Sequence, residues 1–117
     1  CLEKYGREAG LYMYALSREL FNHLALGCVV DAGPGRKYFI VHAGVPRRGE
    51  SLEDIRNVNF RREIPAPPRA GEDEVFFDCM WADPQENPGL GLNVRGPHVA
   101  SFGPDITRAF VERSGVD

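Results

Sequence analysis

The chain has 117 residues, 43% of them hydrophobic and 26% charged, which suits one small domain with a modest core. Its net charge is −3, and its basic residues never group beyond pairs such as Arg47-Arg48 and Arg61-Arg62, so it lacks the electrostatic footprint of a nucleic-acid binder. No apolar run approaches the roughly eighteen residues of a membrane span, and the opening Cys1-Leu2-Glu3-Lys4 does not have the layout of a secretory leader.

Cys1, Cys28 and Cys79 are far apart and form no C-x-x-C pair, which argues against a disulfide framework or a zinc cage and predicts reduced thiols in a cytosolic or nuclear protein. Met13, Leu16, Leu20, Phe21 and Leu24 recur at steps of three and four, predicting an amphipathic helix over 11–24. Two β-prone runs follow, Leu26 to Val30 and Tyr38 to Val41, separated by a Gly/Pro loop and expected to be neighbouring strands of a buried sheet. Ser51, with Asp54 three residues on, has the spacing of a helix cap. Ile64 to Glu74, with three prolines and three acids, reads as an exposed connection, and Val75 to Trp81 as a compact apolar stretch. A long loop rich in Pro and Gly then delivers Arg95. Phe102-Gly103-Pro104 opens a last helix, its stripe Ile106, Ala109 and Phe110 facing inward and Gly115 ending it.

His42 stands at the carboxyl end of an apolar strand, the edge of an α/β sheet where ligands and metals gather. It reads as a metal ligand that the small Ala43 and Gly44 would let approach, or as a strand-end histidine bonded to a carbonyl. Arg95, before Gly96, offers a planar donor fork for a phosphate, or pairs with a surface acid. Trp81 could wall a substrate groove or anchor the core. Asp83 could hold Arg95, orient a base or mark a plain turn before Pro84. His23 and His98 have no partner at ligand spacing.

Several segments together resemble the phosphoprotein phosphatase family of serine/threonine phosphatases, nearest its protein phosphatase 5 and EF-hand-containing branches. Tyr38 to Pro46, Y-F-I-V-H-A-G-V-P, is similar to that family's strand and H-G-G-L turn, and Ser51 to Arg56 to its short helix. Asp78 to Pro84, D-C-M-W-A-D-P, resembles its D-L-L-W-S-D-P stretch, and Arg95-Gly96 with Phe102-Gly103-Pro104-Asp105 completes the order over nearly the whole chain. Ala43 replaces a glycine, Val94 a usually polar residue, and the Pro65 to Glu74 connection is longer than in protein phosphatase 5.

The resemblance implies an α/β fold, part of a calcineurin-like metallophosphoesterase β-sandwich flanked by helices and incomplete at both ends, with residues 1–117 an internal portion of the catalytic domain. It implies phosphoserine and phosphothreonine hydrolysis by water activated between two divalent ions of the Mn, Fe or Zn type. His42 becomes one metal ligand, Arg95 a phosphate contact, and Trp81 and Asp83 neighbours of the groove. The family's D-x-H, G-D-x-x-D-R-G and G-N-H-E motifs and its general-acid histidine are not among these residues, so the piece alone is expected to be inactive. Phosphoproteins and a regulatory subunit or domain are the implied partners. A pseudophosphatase scaffold and a small-molecule metallophosphoesterase are the alternatives.

Overall fold

A computed structural model describes residues 1–117. It contains α1 (Leu2–Tyr5), α2 (Arg7–Phe21), β1 (Gly27–Asp31), β2 (Lys37–Val41), α3 (Leu52–Arg56), α4 (Glu72–Trp81), β3 (Asp83–Pro84), β4 (Leu90–Gly91), β5 (Ser101–Phe102) and α5 (Pro104–Ser114). The result is a mixed α/β fold. β1 and β2 form an antiparallel hairpin from Gly27↔Val41 to Asp31↔Lys37, and a second, three-stranded sheet runs in the order β3-β5-β4. In it β5 pairs parallel with β3 and antiparallel with β4.

Local chemistry accounts for most boundaries. Asp31 Oδ1 accepts from the Gly33 N–H at 3.0 Å, closing the hairpin loop as aspartate side chains do in turns. Ser51 and Asp54 form a reciprocal capping box at the start of α3. Pro104 occupies the first turn of α5, and Gly115 ends that helix in the left-handed conformation, both as the sequence predicts. The three acids that composition assigns to an exposed connection, Glu72, Asp73 and Glu74, are instead the first turn of α4, where negative charge favours the helix dipole.

The core forms where α3, α4, α5 and the inner face of β2 meet. Ile55, Val75, Phe76, Cys79, Phe110 and Val116 are buried together, with Phe39 and Val41 packed against them. The Phe39 and Phe110 rings lie 5.3 Å apart between centroids, a tilted aromatic pair. A smaller cluster of Ala82, Ala100 and Phe102 sits under the second sheet, and Val45 touches both clusters.

Two expectations change. The hairpin is covered on one face only: Phe39 and Val41 turn inward while Tyr38 and Ile40 face out, the period-two alternation of a half-buried strand. The apolar stripe of α2 is helical but uncovered, with Met13, Leu16, Leu20 and Phe21 all exposed, and the helix stops at Phe21, so Leu24 lies beyond it. Arg18 on α2 reaches Glu63 at 2.6 Å. The radius of gyration is 16.4 Å, against about 13 Å for a compact domain of this size, so these faces stand open.

Phe110 joins α5 to the hairpin, so Phe110→Ala should lower unfolding free energy by about 3–5 kcal/mol. Glu112→Ala, on the exposed side of the same helix, should stay within about 0.5 kcal/mol in the same denaturant titration.

Candidate functional site

The turn after β2 carries His42, and α4 holds that turn at both ends. The Ala43 N–H donates to the Cys79 carbonyl at 3.1 Å, and the Arg47 N–H donates to Asp78 Oδ2 at 2.8 Å. Both acceptors belong to fully buried residues of α4. Ala43 takes ordinary negative-φ backbone, so replacing glycine there brings no strain. Gly44 is required for a different reason than ligand approach. A Cβ there would run into the Phe102 ring and meet the Ala82 carbonyl at 2.9 Å, so its smallness serves packing on β5. The His42 imidazole is exposed and makes no hydrogen bond.

Arg95 is positioned from below by a polar cluster. Asn93 Nδ2 donates to Asp83 Oδ2 at 2.9 Å and to Ser101 Oγ at 3.1 Å, while Asn93 Oδ1 accepts from the Arg95 N–H at 2.9 Å. The Arg95 side chain is 52% exposed. Its Nε lies 3.4 Å from Asp83 Oδ2, and its two terminal amino groups have no protein partner. Gly96 follows at φ 137°, a conformation that side chains rarely adopt, and a Cβ there would meet open space. Backbone geometry rather than crowding therefore explains the glycine.

Two adjacent cavities flank α4. One, of about 530 Å³, is lined by Arg95, Phe77, Trp81, Pro67 and Val99. Trp81 is part-exposed and stacks on Phe77 at 6.2 Å between centroids, so it walls this cavity and is not buried in the core. The other is lined by His42, Phe76, Met80, Phe60 and Arg62. Ile64 lines both. Residues 76 and 80 share one face of α4 and residues 77 and 81 the next, so His42 and Arg95 open onto neighbouring sides of one helix. The connection after Ile64 is partly built into this wall and is not merely an exposed tether.

Nowhere do three or more His, Cys, Asp or Glu side chains converge as a metal-binding group. The unbonded His42 nitrogen fits one ligand of a divalent ion, and these residues offer no set around it. Cys79, beneath the turn, is not a candidate: burial, with the neighbouring Asp78 charge, pushes its thiol up to about 12. Sequence reasoning passed over Arg47, whose guanidinium pairs with Asp78 and Glu74 under the same turn. Its signal, a partner thirty-one residues away, cannot be read from local spacing.

Residues 1–117 match the family described as calcineurin-like phosphoesterase. The chain is 31% identical over 115 residues to serine/threonine-protein phosphatase T of Trypanosoma brucei brucei, covering 97% of this chain and 21% of that protein. It also superposes, with a TM-score of 0.69 and 33% identity, on a protein serine/threonine phosphatase of Saccharomyces cerevisiae described as similar to human phosphatase PP5, covering 96% of this chain and 30% of that one. The chain thus spans well under half the length of either.

The long loop is also tied from α5, where Asp105 Oδ1 accepts from the Gly89 N–H at 2.8 Å. That hydrogen bond holds the Asp105 carboxyl below its ordinary range. A carboxylate whose folded pKa is depressed gives its stabilisation above the unfolded value, and that stabilisation is lost as pH falls through the folded one. The Gly89 amide resonance should therefore titrate with a midpoint below the ordinary aspartate range. In Asp105→Asn that titration should vanish.

Proposed function

The chain belongs to the calcineurin-like phosphoesterase family, and from that premise we propose that it forms the part of a serine/threonine protein phosphatase that supplies one metal-ligand histidine and one phosphate-binding arginine. Support comes from two relatives named serine/threonine phosphatases, each matched over nearly the whole chain, and from the motif order His42, Trp81, Asp83, Arg95. The observation that carries the reading is the state of Arg95: its backbone N–H is bonded to Asn93 and its Nε lies 3.4 Å from Asp83, while its two terminal amino groups have no protein partner and the residue lines a cavity. A planar fork kept in that condition suits two oxygens of one phosphoryl group.

Divalent metal ions, when bound, activate water and offset phosphoryl charge in this chemistry. His42 would provide a ring-nitrogen ligand for one of them, of the Mn, Fe or Zn type. Arg95 supplies fixed positive charge to the equatorial oxygens as the phosphoryl group transfers, a stabilisation that grows in the transition state as charge develops there. Asn93 and Asp83 keep that orientation, and Trp81 gives the groove an apolar wall beside the leaving side chain. The substrates are phosphoserine and phosphothreonine proteins. The open stripe of α2 and the outer face of the hairpin support reading these residues as one portion of a larger catalytic domain.

In the complete phosphatase, Arg95→Ala should lower kcat/KM for a phosphoserine peptide by about 10²–10³. His42→Ala should reduce the metal retained after dialysis. The 117 residues by themselves should show no turnover. Full activity of Arg95→Ala would remove the assignment, and faster hydrolysis of dinucleoside polyphosphates than of phosphopeptides would move the substrate to small molecules.

A further inference from the structure

Arg47 follows the histidine turn and belongs to neither of the two groups just assigned, yet its side chain reaches both a support of that turn, Asp78, and the loop that carries Arg95. Its fork is bidentate on Asp78, with Nε 2.9 Å from Oδ2 and Nη2 2.8 Å from Oδ1. Nη1 reaches Glu74 Oε1 at 3.3 Å, and Nη2 also donates to the His98 carbonyl at 3.0 Å. The guanidinium is 16% exposed and Asp78 is completely buried. The Asp78 hydrogen bond outweighs the cost of burial and holds Arg47 still more firmly protonated.

His98 lies three residues beyond Arg95 in the same loop, and Arg47 lies five residues beyond His42. The Arg47–His98 contact is the only hydrogen bond that joins the 42–47 turn directly to the 93–99 loop. A buried ion pair is weak evidence for stability, because apolar side chains of similar volume often serve as well. What such residues could not supply is a planar donor array aimed at once at two carboxylate oxygens and a backbone carbonyl. A lysine ammonium would match the charge and lose the geometry.

We propose that Arg47 is a positioning residue that fixes the loop bearing Arg95 in register with the turn bearing His42, coupling the phosphate side of the site to its metal side. This rests on the phosphatase reading above. Asp78 is the pivot, since it accepts the Arg47 backbone N–H and both arms of its fork. A shift of the loop by an ångström would leave Arg95 charged and exposed but misaligned, and misplacements of that size are costly in oriented sites.

The test is a double-mutant cycle in the metal-loaded, complete phosphatase, read by the inhibition constant of inorganic phosphate. Arg47→Lys should raise that constant by about 10- to 100-fold with metal content unchanged. Placed in an Arg95→Ala background, the same substitution should add nothing, because both changes remove one interaction. The paired variant Arg47→Met with Asp78→Asn keeps the site packed without a lone buried charge, and it should reproduce the Arg47→Lys result. Unchanged phosphate inhibition in both Arg47 variants, or effects that multiply with Arg95→Ala, would overturn the positioning role. If Arg95→Ala itself leaves phosphate inhibition intact, the phosphatase reading fails first and the positioning role falls with it.

Discussion

Asp78 is a carboxylate with no access to water, and three N–H groups of one residue, Arg47, meet it there. A buried charge stripped of its partner costs about 3–5 kcal/mol, so the turn after β2 has little freedom to leave α4 while that pair exists. Other contacts follow from this restraint. With Arg47 fixed, the backbone from Ala43 onward lies against α4, Gly44 is pressed onto Phe102, and Val45 enters both hydrophobic clusters. The histidine before that turn is thereby held at one place on the molecule. No side-chain nitrogen or oxygen buried in the interior lacks a hydrogen-bond partner, which is the condition under which a polar pair of this kind can sit in a core.

Arg95 is governed by the opposite balance. Its only charge partner, Asp83, is 34% exposed and stands 3.4 Å away, and exposed pairs of this kind contribute between nothing and about 1 kcal/mol. Such a pair biases the guanidinium without occupying it. A dianionic phosphoryl group competes easily with one partly solvated carboxylate, so the arginine can be aimed in advance and still be available. The loop gets its rigidity elsewhere, from Asn93 bridging Asp83 and Ser101 and from Gln85, whose side chain donates to the Asn87 and Gly89 carbonyls. Rigid support with an unoccupied fork is the arrangement that preorganised electrostatics require.

What the sequence revealed and what it hid divide along range. The capping box at Ser51, the proline start and glycine stop of α5, and the inward stripe ending in Phe110 depend on residues within one or two turns of each other, and all are legible in order. The helix of α2 is legible for the same reason, whereas the absence of cover over its stripe depends on what packs there, which periodicity cannot report. Ile64 to Pro67 carries loop composition because it is a loop, and only the tertiary structure turns part of it into the wall of a cavity. Arg47-Arg48 looks like a solvated basic pair, but one member is buried against a partner thirty-one positions along and the other stays largely outside, bonded to Glu74. Nothing in the dipeptide separates the two.

His42 shows how the two kinds of restraint combine. Metal-binding imidazoles usually donate their second ring N–H to a carbonyl or carboxylate, which fixes both tautomer and ring plane. This ring has no such partner, while the backbone beside it is bonded at Ala43 and again at Arg47. The residue is therefore placed by its main chain, and no hydrogen bond sets the plane of its ring. Under the proposed reading, coordination to an ion fixed by other ligands would itself select the ring orientation. Arg95 differs in having one side-chain neighbour, the Asp83 carboxylate 3.4 Å from its Nε, which biases the plane of the guanidinium. The side-chain hydrogen bonds lie on the loop beneath the arginine and on the Arg47 bridge, and none reaches the imidazole or the Arg95 guanidinium.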